Sequence, residues 1–192
     1  MFINDWKKEI CTVPNALSLT RILLIPVYVI VYLNAKQEQD YVLAAAILAV
    51  SCLTDLIDGQ IARRFDLVTN MGKVLDPLAD KMTQLAVTVC LSMKYPALRS
   101  VLLLFIFKEV FQLSVAAVMY HRGKVLPGSL FAGKLCTTVL FSSLTLLVLL
   151  PDLTLRVVNF IAITDILFLS YAMICYTLAF YGKNPKVQDL EP

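Results

Sequence analysis

Charge is scarce in this sequence. Asp, Glu, Lys and Arg make up 16% of its 192 residues, against about 25% in an ordinary soluble domain. The formal net charge is only +3, which excludes nucleic-acid binding driven by bulk charge and leaves any basic preference local. Histidine occurs once, as His121 in a basic loop. That is too little for a zinc cluster and poorly placed for a Ser-His-Asp triad. The five cysteines, at 11, 52, 90, 136 and 175, form no CxxC, and all but Cys11 sit in apolar runs. They read as packing thiols, not as a disulfide framework. The phosphate-cradling patterns are missing too: there is no G-x-x-x-x-G-K followed by Ser or Thr, and no GxGxxG. No cleavable signal peptide is expected, because MFINDWKKEI mixes acids and lysines and no apolar core follows before position 22.

Apolar surface, in contrast, is in excess. Hydrophobic residues make up 59% of the chain, and the mean hydropathy is +0.76. One soluble domain of this length could not hide so much, and a disordered chain would not carry it. Six long apolar runs stand out, at about 14–34, 40–63, 70–93, 98–120, 128–150 and 154–181. Each is near the ~20 helical residues that cross ~30 Å of hydrocarbon. The expected fold is an all-α integral membrane protein: one compact bundle of six transmembrane helices, a single domain over residues 1–192, without repeats or low-complexity segments. Pro26 is a bend in the first run.

Basic residues set the orientation. One side receives Lys7, Lys8, Arg63, Arg64, Lys73, Arg122, Lys124, Lys183 and Lys186, and the other Lys36, Lys94, Arg99 and Arg156. The first side is therefore cytoplasmic and holds both termini. Phe2, Ile3, Trp6 and Ile10 among charges suit a short amphipathic helix along that surface; a frayed tail fits them equally.

Acids inside membrane spans are costly and usually functional. Asp55, Asp58, Asp76 and Asp80 fall in DLIDGQIARRFDLVTNMGKVLDPLAD. On helices, 55 and 58 share a face, and so do 76 and 80. A short turn near Asp66–Thr69 makes the second and third spans an antiparallel hairpin, with the two pairs at similar depth toward the cytoplasm. Four converging carboxylates cannot all stay ionised alone. Two divalent cations would balance them, and hard oxygen ligands suit Mg²⁺ or Mn²⁺. Such a site suits displacement at a diphosphate. Gly59, Ala62 and Gly72 leave room for a flat ligand, and Arg63 can reach a phosphate. The alternative is that the aspartates are interfacial caps or partners of Arg63, Arg64 and Lys81.

These residues read Asp55-x2-Asp58-Gly59-x2-Ala62-Arg63-x8-Gly72-x3-Asp76-x3-Asp80. The pattern resembles the signature of the CDP-alcohol phosphotransferases, and every fixed position is present. The resemblance implies a six-helix membrane enzyme, a homodimer, with its site open to the cytoplasm. It implies that Asp55, Asp58, Asp76 and Asp80 hold two divalent cations, with Asp80 also the general base. The CDP-lipid is implied against Asn15, Ser18, Gly59, Arg63, Thr69 and Gly72. The acceptor hydroxyl would then attack the donor's β-phosphorus, and CMP would leave.

The family divides by acceptor. Pro14-Asn15-Ala16-Leu17-Ser18-Leu19-Thr20-Arg21, the stretch Gly72–Lys81, and Gly133-Lys134 look most like the branch that transfers phosphatidyl groups from CDP-diacylglycerol to sn-glycerol 3-phosphate in phospholipid synthesis. An anionic acceptor needs cations, and Arg21, Lys81, Arg122 and Lys134 are the candidates, with Lys108 and Lys124 as weaker ones. Lys108 could instead pair with a buried acid such as Asp165. Cys136 stands where that branch usually has a second lysine, and Lys108-Glu109 where it has Arg-Glu. The same stretches also resemble cardiolipin synthases of this fold, whose acceptor is phosphatidylglycerol. Outside the family, a membrane prenyltransferase would also use Asp-rich motifs and Mg²⁺, but on separate segments. A metal transporter would place its acids at the midplane, without Arg63 beside them.

Overall fold

The computed structural model describes residues 13–64, 72–121, 124–125, 131–181 and 188–189, and for residues 55–64 it describes the backbone. Six helices occupy nearly all of this: α1 Val13–Asn34, α2 Glu38–Arg64, α3 Gly72–Lys94, α4 Leu98–His121, α5 Phe131–Leu149 and α6 Leu155–Tyr181. Two strands of two residues each, β1 Lys124–Val125 and β2 Gln188–Asp189, pair antiparallel, Lys124 opposite Asp189. The expected N-terminal surface helix lies outside the described residues.

Four helical segments are long and apolar enough to cross a membrane: Asn15–Asn34, Leu98–Met119, Phe131–Leu149 and Leu155–Ala179. The other two expected spans are helices of sufficient length, but α2 and α3 carry the acids and bases of the signature, so they are less apolar. The four apolar helices carry apolar residues on every face, which a water-facing helix does not. Large side chains such as Leu103, Leu113, Phe131 and Phe160 stand exposed.

The helix ends follow local chemistry. At the loop end of α2, before its apolar run, the Asp40 carboxylate accepts the backbone N–H groups of Lys36 and Gln37, at 2.8 and 3.0 Å. This satisfies the donors of the two residues that lead into the helix. The same two bonds hold the Asp40 carboxyl below its ordinary range. Thr154 opens α6, its carbonyl accepting from Val157 N and Val158 N. Pro26 and Pro77 both lie inside helices, each leaving the carbonyl four residues earlier without its usual donor.

The described residues fall into two compact units. In the first, α1 packs on α2. Tyr28, Tyr32, Ala44, Leu48, Ala79 and Val87 are buried there. Tyr32 stacks on Tyr28 at 5.8 Å and meets Tyr41 of α2 edge-on at 5.5 Å. In the second, α4 packs on α6, with Leu98, Val101, Leu140, Leu144, Val158 and Leu169 among its buried residues.

Candidate active site

The buried polar residues of α1 define one stripe. Asn15, Ser18 and Arg21 recur every three residues, which keeps them near one face, and all three are buried at 2% exposure or less. Buried polar groups need partners, and two of the stripe's side chains find them on α3. Ser18 Oγ donates a short hydrogen bond to Asp76 Oδ1. Arg21 Nη1 donates to Asp80 Oδ1 at 2.5 Å. A step of three on α1 therefore matches a step of four on α3, and the two helices run parallel.

Burial across the ion pair is lopsided. The Arg21 side chain is 2% exposed and that of Asp80 is 47% exposed. The cation is held inside while the carboxylate keeps an open flank. Asp76 is half-buried. The pair is thus two hard oxygen donors one helical turn apart, each steadied from α1, with accessible lone pairs left on the outer acid. Beyond Arg21, Leu24, Ile25 and Tyr28 line a small, mostly apolar cavity together with Ile47, Leu48 and Ser51 of α2 and Thr83 and Ala86 of α3.

The other expected residues distribute as follows. Gly72 is buried at the first position of α3, and Lys81 is half-buried beside Asp80. Asp55, Asp58, Gly59 and Arg63 lie on the last three turns of α2, and their side chains fall outside the description. Thr69 and Arg122 lie outside the described residues. Lys134 is exposed, in the first turn of α5. Arg21, read from sequence as a candidate acceptor cation, lies against Asp80. Lys108 is paired, though not with Asp165. Its Nζ pairs with Glu109 at 2.7 Å, and Asp165 accepts at 2.8 Å on both oxygens from Ser143 Oγ.

Among the described residues no three His, Cys, Asp or Glu side chains gather into a metal-binding group. Asp76 and Asp80 are half of the expected quartet, and what surrounds them fits a divalent cation. Their oxygens are of the type that Mg²⁺ and Mn²⁺ take, and the Asp80 carboxylate stays open on one flank. Ser18 on Asp76 orients a carboxylate in the way that outer partners orient metal ligands.

The family described as CDP-alcohol phosphatidyltransferase matches residues 11–179. Among curated relatives, the "Cardiolipin synthase (CMP-forming) / mitochondrial hydrolase fusion protein" of Schizosaccharomyces pombe is 40% identical over 122 residues, 63% of this chain and 19% of that protein. The "CDP-diacylglycerol--glycerol-3-phosphate 3-phosphatidyltransferase" of Rickettsia typhi is 40% identical over 82 residues, 42% of this chain and 45% of that protein. The "Cardiolipin synthase (CMP-forming)" of Homo sapiens is 38% identical over 130 residues, 66% of this chain and 39% of that protein. The matched stretches thus span less than half the length of each of these three relatives.

Proposed function

The chain belongs to the CDP-alcohol phosphatidyltransferase family, and from that premise we propose that it transfers the phosphatidyl group of CDP-diacylglycerol to an alcohol, releasing CMP. The observation that carries this reading is the pair Asp76 and Asp80, one turn apart and each engaged from a buried polar stripe on α1. The acceptor is sn-glycerol 3-phosphate. Phosphatidylglycerol is the second reading, favoured by the length of the matches to the cardiolipin synthases. The whole chain, residues 1–192, acts as one domain in the cell membrane. All six helices cross the membrane, the termini and the site face the cytoplasm, the N-terminal stretch lies along the surface, and the protein pairs with a second copy.

In this mechanism Asp55, Asp58, Asp76 and Asp80 would hold two divalent cations, Mg²⁺ or Mn²⁺. Bound there, the cations supply charge neutralisation for the diphosphate and its leaving group. The protein's own groups do the rest. Gly59 and Gly72 admit the nucleotide close to the backbone, and Asn15, Ser18, Arg63 and Thr69 lie along the CDP-lipid. Ser18 also keeps Asp76 in one rotamer. Arg21 fixes one oxygen of Asp80, so the other oxygen is the one that meets the acceptor hydroxyl. Asp80 takes the hydroxyl proton as the new oxygen–phosphorus bond forms and the bond to CMP breaks. Lys81, Arg122 and Lys134 attract the acceptor's phosphate. Arg21, beside Asp80, is a fourth cation for that phosphate.

The test is an assay of CMP release by purified protein in mixed micelles. CDP-diacylglycerol and Mg²⁺ or Mn²⁺ are supplied with glycerol 3-phosphate, phosphatidylglycerol, inositol phosphate or serine. CMP released with glycerol 3-phosphate supports the first reading. Release with phosphatidylglycerol alone moves the assignment to the second. No release with any acceptor contradicts the function.

A further inference from the structure

Gly133 and Tyr176 meet within the second unit, one residue before Lys134. A Cβ built on Gly133 would lie 2.6 Å from the Tyr176 hydroxyl oxygen, 3.2 Å from Cε2 and 3.3 Å from Cζ. The phenol therefore lies directly over the glycine. Tyr176 is 7% exposed and Gly133 is buried, whereas Lys134 is exposed. Successive residues of a helix point about 100° apart. Turning Gly133 onto Tyr176 thus turns Lys134 away from α6. Glycine weakens a helix interior relative to alanine, so its presence here needs a reason, and the phenol above it supplies one.

A second contact fixes the same pair of helices. Ser143 Oγ is bonded to Asp165, 2.8 Å to each oxygen. It lies ten residues along α5 from Gly133, and Asp165 lies eleven residues back along α6 from Tyr176. The two contacts share one antiparallel register and stand about 15 Å apart along the axis. Together they stop α5 from rotating or sliding on α6. The backbone between Gly133 and Lys134 is tied down as well. Thr137 Oγ1 donates to the Gly133 carbonyl at 3.0 Å and to that of Lys134 at 2.9 Å, and Thr138 Oγ1 also donates to the Lys134 carbonyl at 2.9 Å.

We propose that Tyr176 is a positioning residue for acceptor recognition, setting the rotation of the first turn of α5 and hence the direction of Lys134. The inference rests on the reading of Lys134 as a cation for the acceptor's phosphate. The hydroxyl, the atom nearest to a Cβ at 133, makes the contact testable by suppression. Alanine at 133 collides with the tyrosine hydroxyl. Phenylalanine at 176 removes that atom and leaves ring carbons that need yield only a few tenths of an ångström.

The full chain in mixed micelles is assayed for CMP release, with separate KM values for CDP-diacylglycerol and for glycerol 3-phosphate. Gly133→Ala raises the acceptor KM about tenfold and moves the donor KM by less than about twofold. Tyr176→Phe alone stays within about threefold of the parent, and Gly133→Ala with Tyr176→Phe returns to within about threefold. An unmoved acceptor KM in Gly133→Ala, an equal rise in both KM values, or a double variant as impaired as the single one overturns the proposal. If Gly133→Ala does not accumulate as folded protein, Tyr176→Leu, which uncovers the glycine, is read by the same split. Lys134→Ala separates the two levels. An unmoved acceptor KM in that variant removes the acceptor reading and the inference with it. A raised one, beside an unmoved KM in Gly133→Ala, removes the inference alone.

Discussion

Asp80, in the first unit, keeps 47% of its side chain exposed and shares an oxygen with the buried guanidinium of Arg21. Asp165, in the second, is 1% exposed and accepts on both oxygens from one neutral hydroxyl, that of Ser143. Both sit on long helices of an apolar protein, where an acid is costly. Their surroundings separate them. An acid left half open beside a fixed cation can still take a proton or share a metal ion. An acid sealed against a serine has no oxygen free to meet a substrate, and it acts by holding two helices in register. The polar stripe of α1 makes the first case, and the α5–α6 contact makes the second.

Substitutions that remove one acid at a time sharpen this contrast. The largest effect falls on Asp80→Asn, which lowers CMP release by about 10³-fold while leaving CDP-diacylglycerol binding measurable, because the amide cannot take the acceptor's proton. Arg21→Ala comes next. It strips the buried partner from Asp80 and lowers kcat by about 10- to 100-fold, with Arg21→Lys intermediate, as read in the same assay. Ser18→Ala, which frees one rotamer of Asp76, costs about tenfold. The smallest effect belongs to Asp165→Asn, which keeps CMP release within about threefold of the parent and lowers thermal stability by about 1 kcal/mol, because amide and hydroxyl can still bond. If Asp165→Asn were as inactive as Asp80→Asn, the division between an open acid and a sealed one would collapse.

Much of the fold was legible in the sequence, for one physical reason. A helix that buries itself in an apolar medium needs about 20 apolar residues, and runs of that length have visible ends. The expected 98–120 and 70–93 correspond to α4 Leu98–His121 and α3 Gly72–Lys94. The two strands of two residues gave no such signal. Which side chain reaches which acid was harder to read. Arg21 looked like one cation among several, because nothing in a linear pattern says that α1 lies beside α3. A clue was present all the same. Asn15, Ser18 and Arg21 form a polar stripe in a mostly apolar helix, spaced to meet the Asp76 and Asp80 step. Lys108 misled for the opposite reason. Asp165 seemed its natural buried partner, but the nearer acid, Glu109, takes it.

The proposal that Asp76 and Asp80 share a divalent cation is tested most directly by Mn²⁺ binding to the purified protein, followed by electron paramagnetic resonance without substrate. The parent protein and Asp165→Asn should bind Mn²⁺ with the same affinity, and Asp76→Asn and Asp80→Asn should each weaken it by about tenfold or more. Undiminished Mn²⁺ binding in both Asp76→Asn and Asp80→Asn would contradict the account.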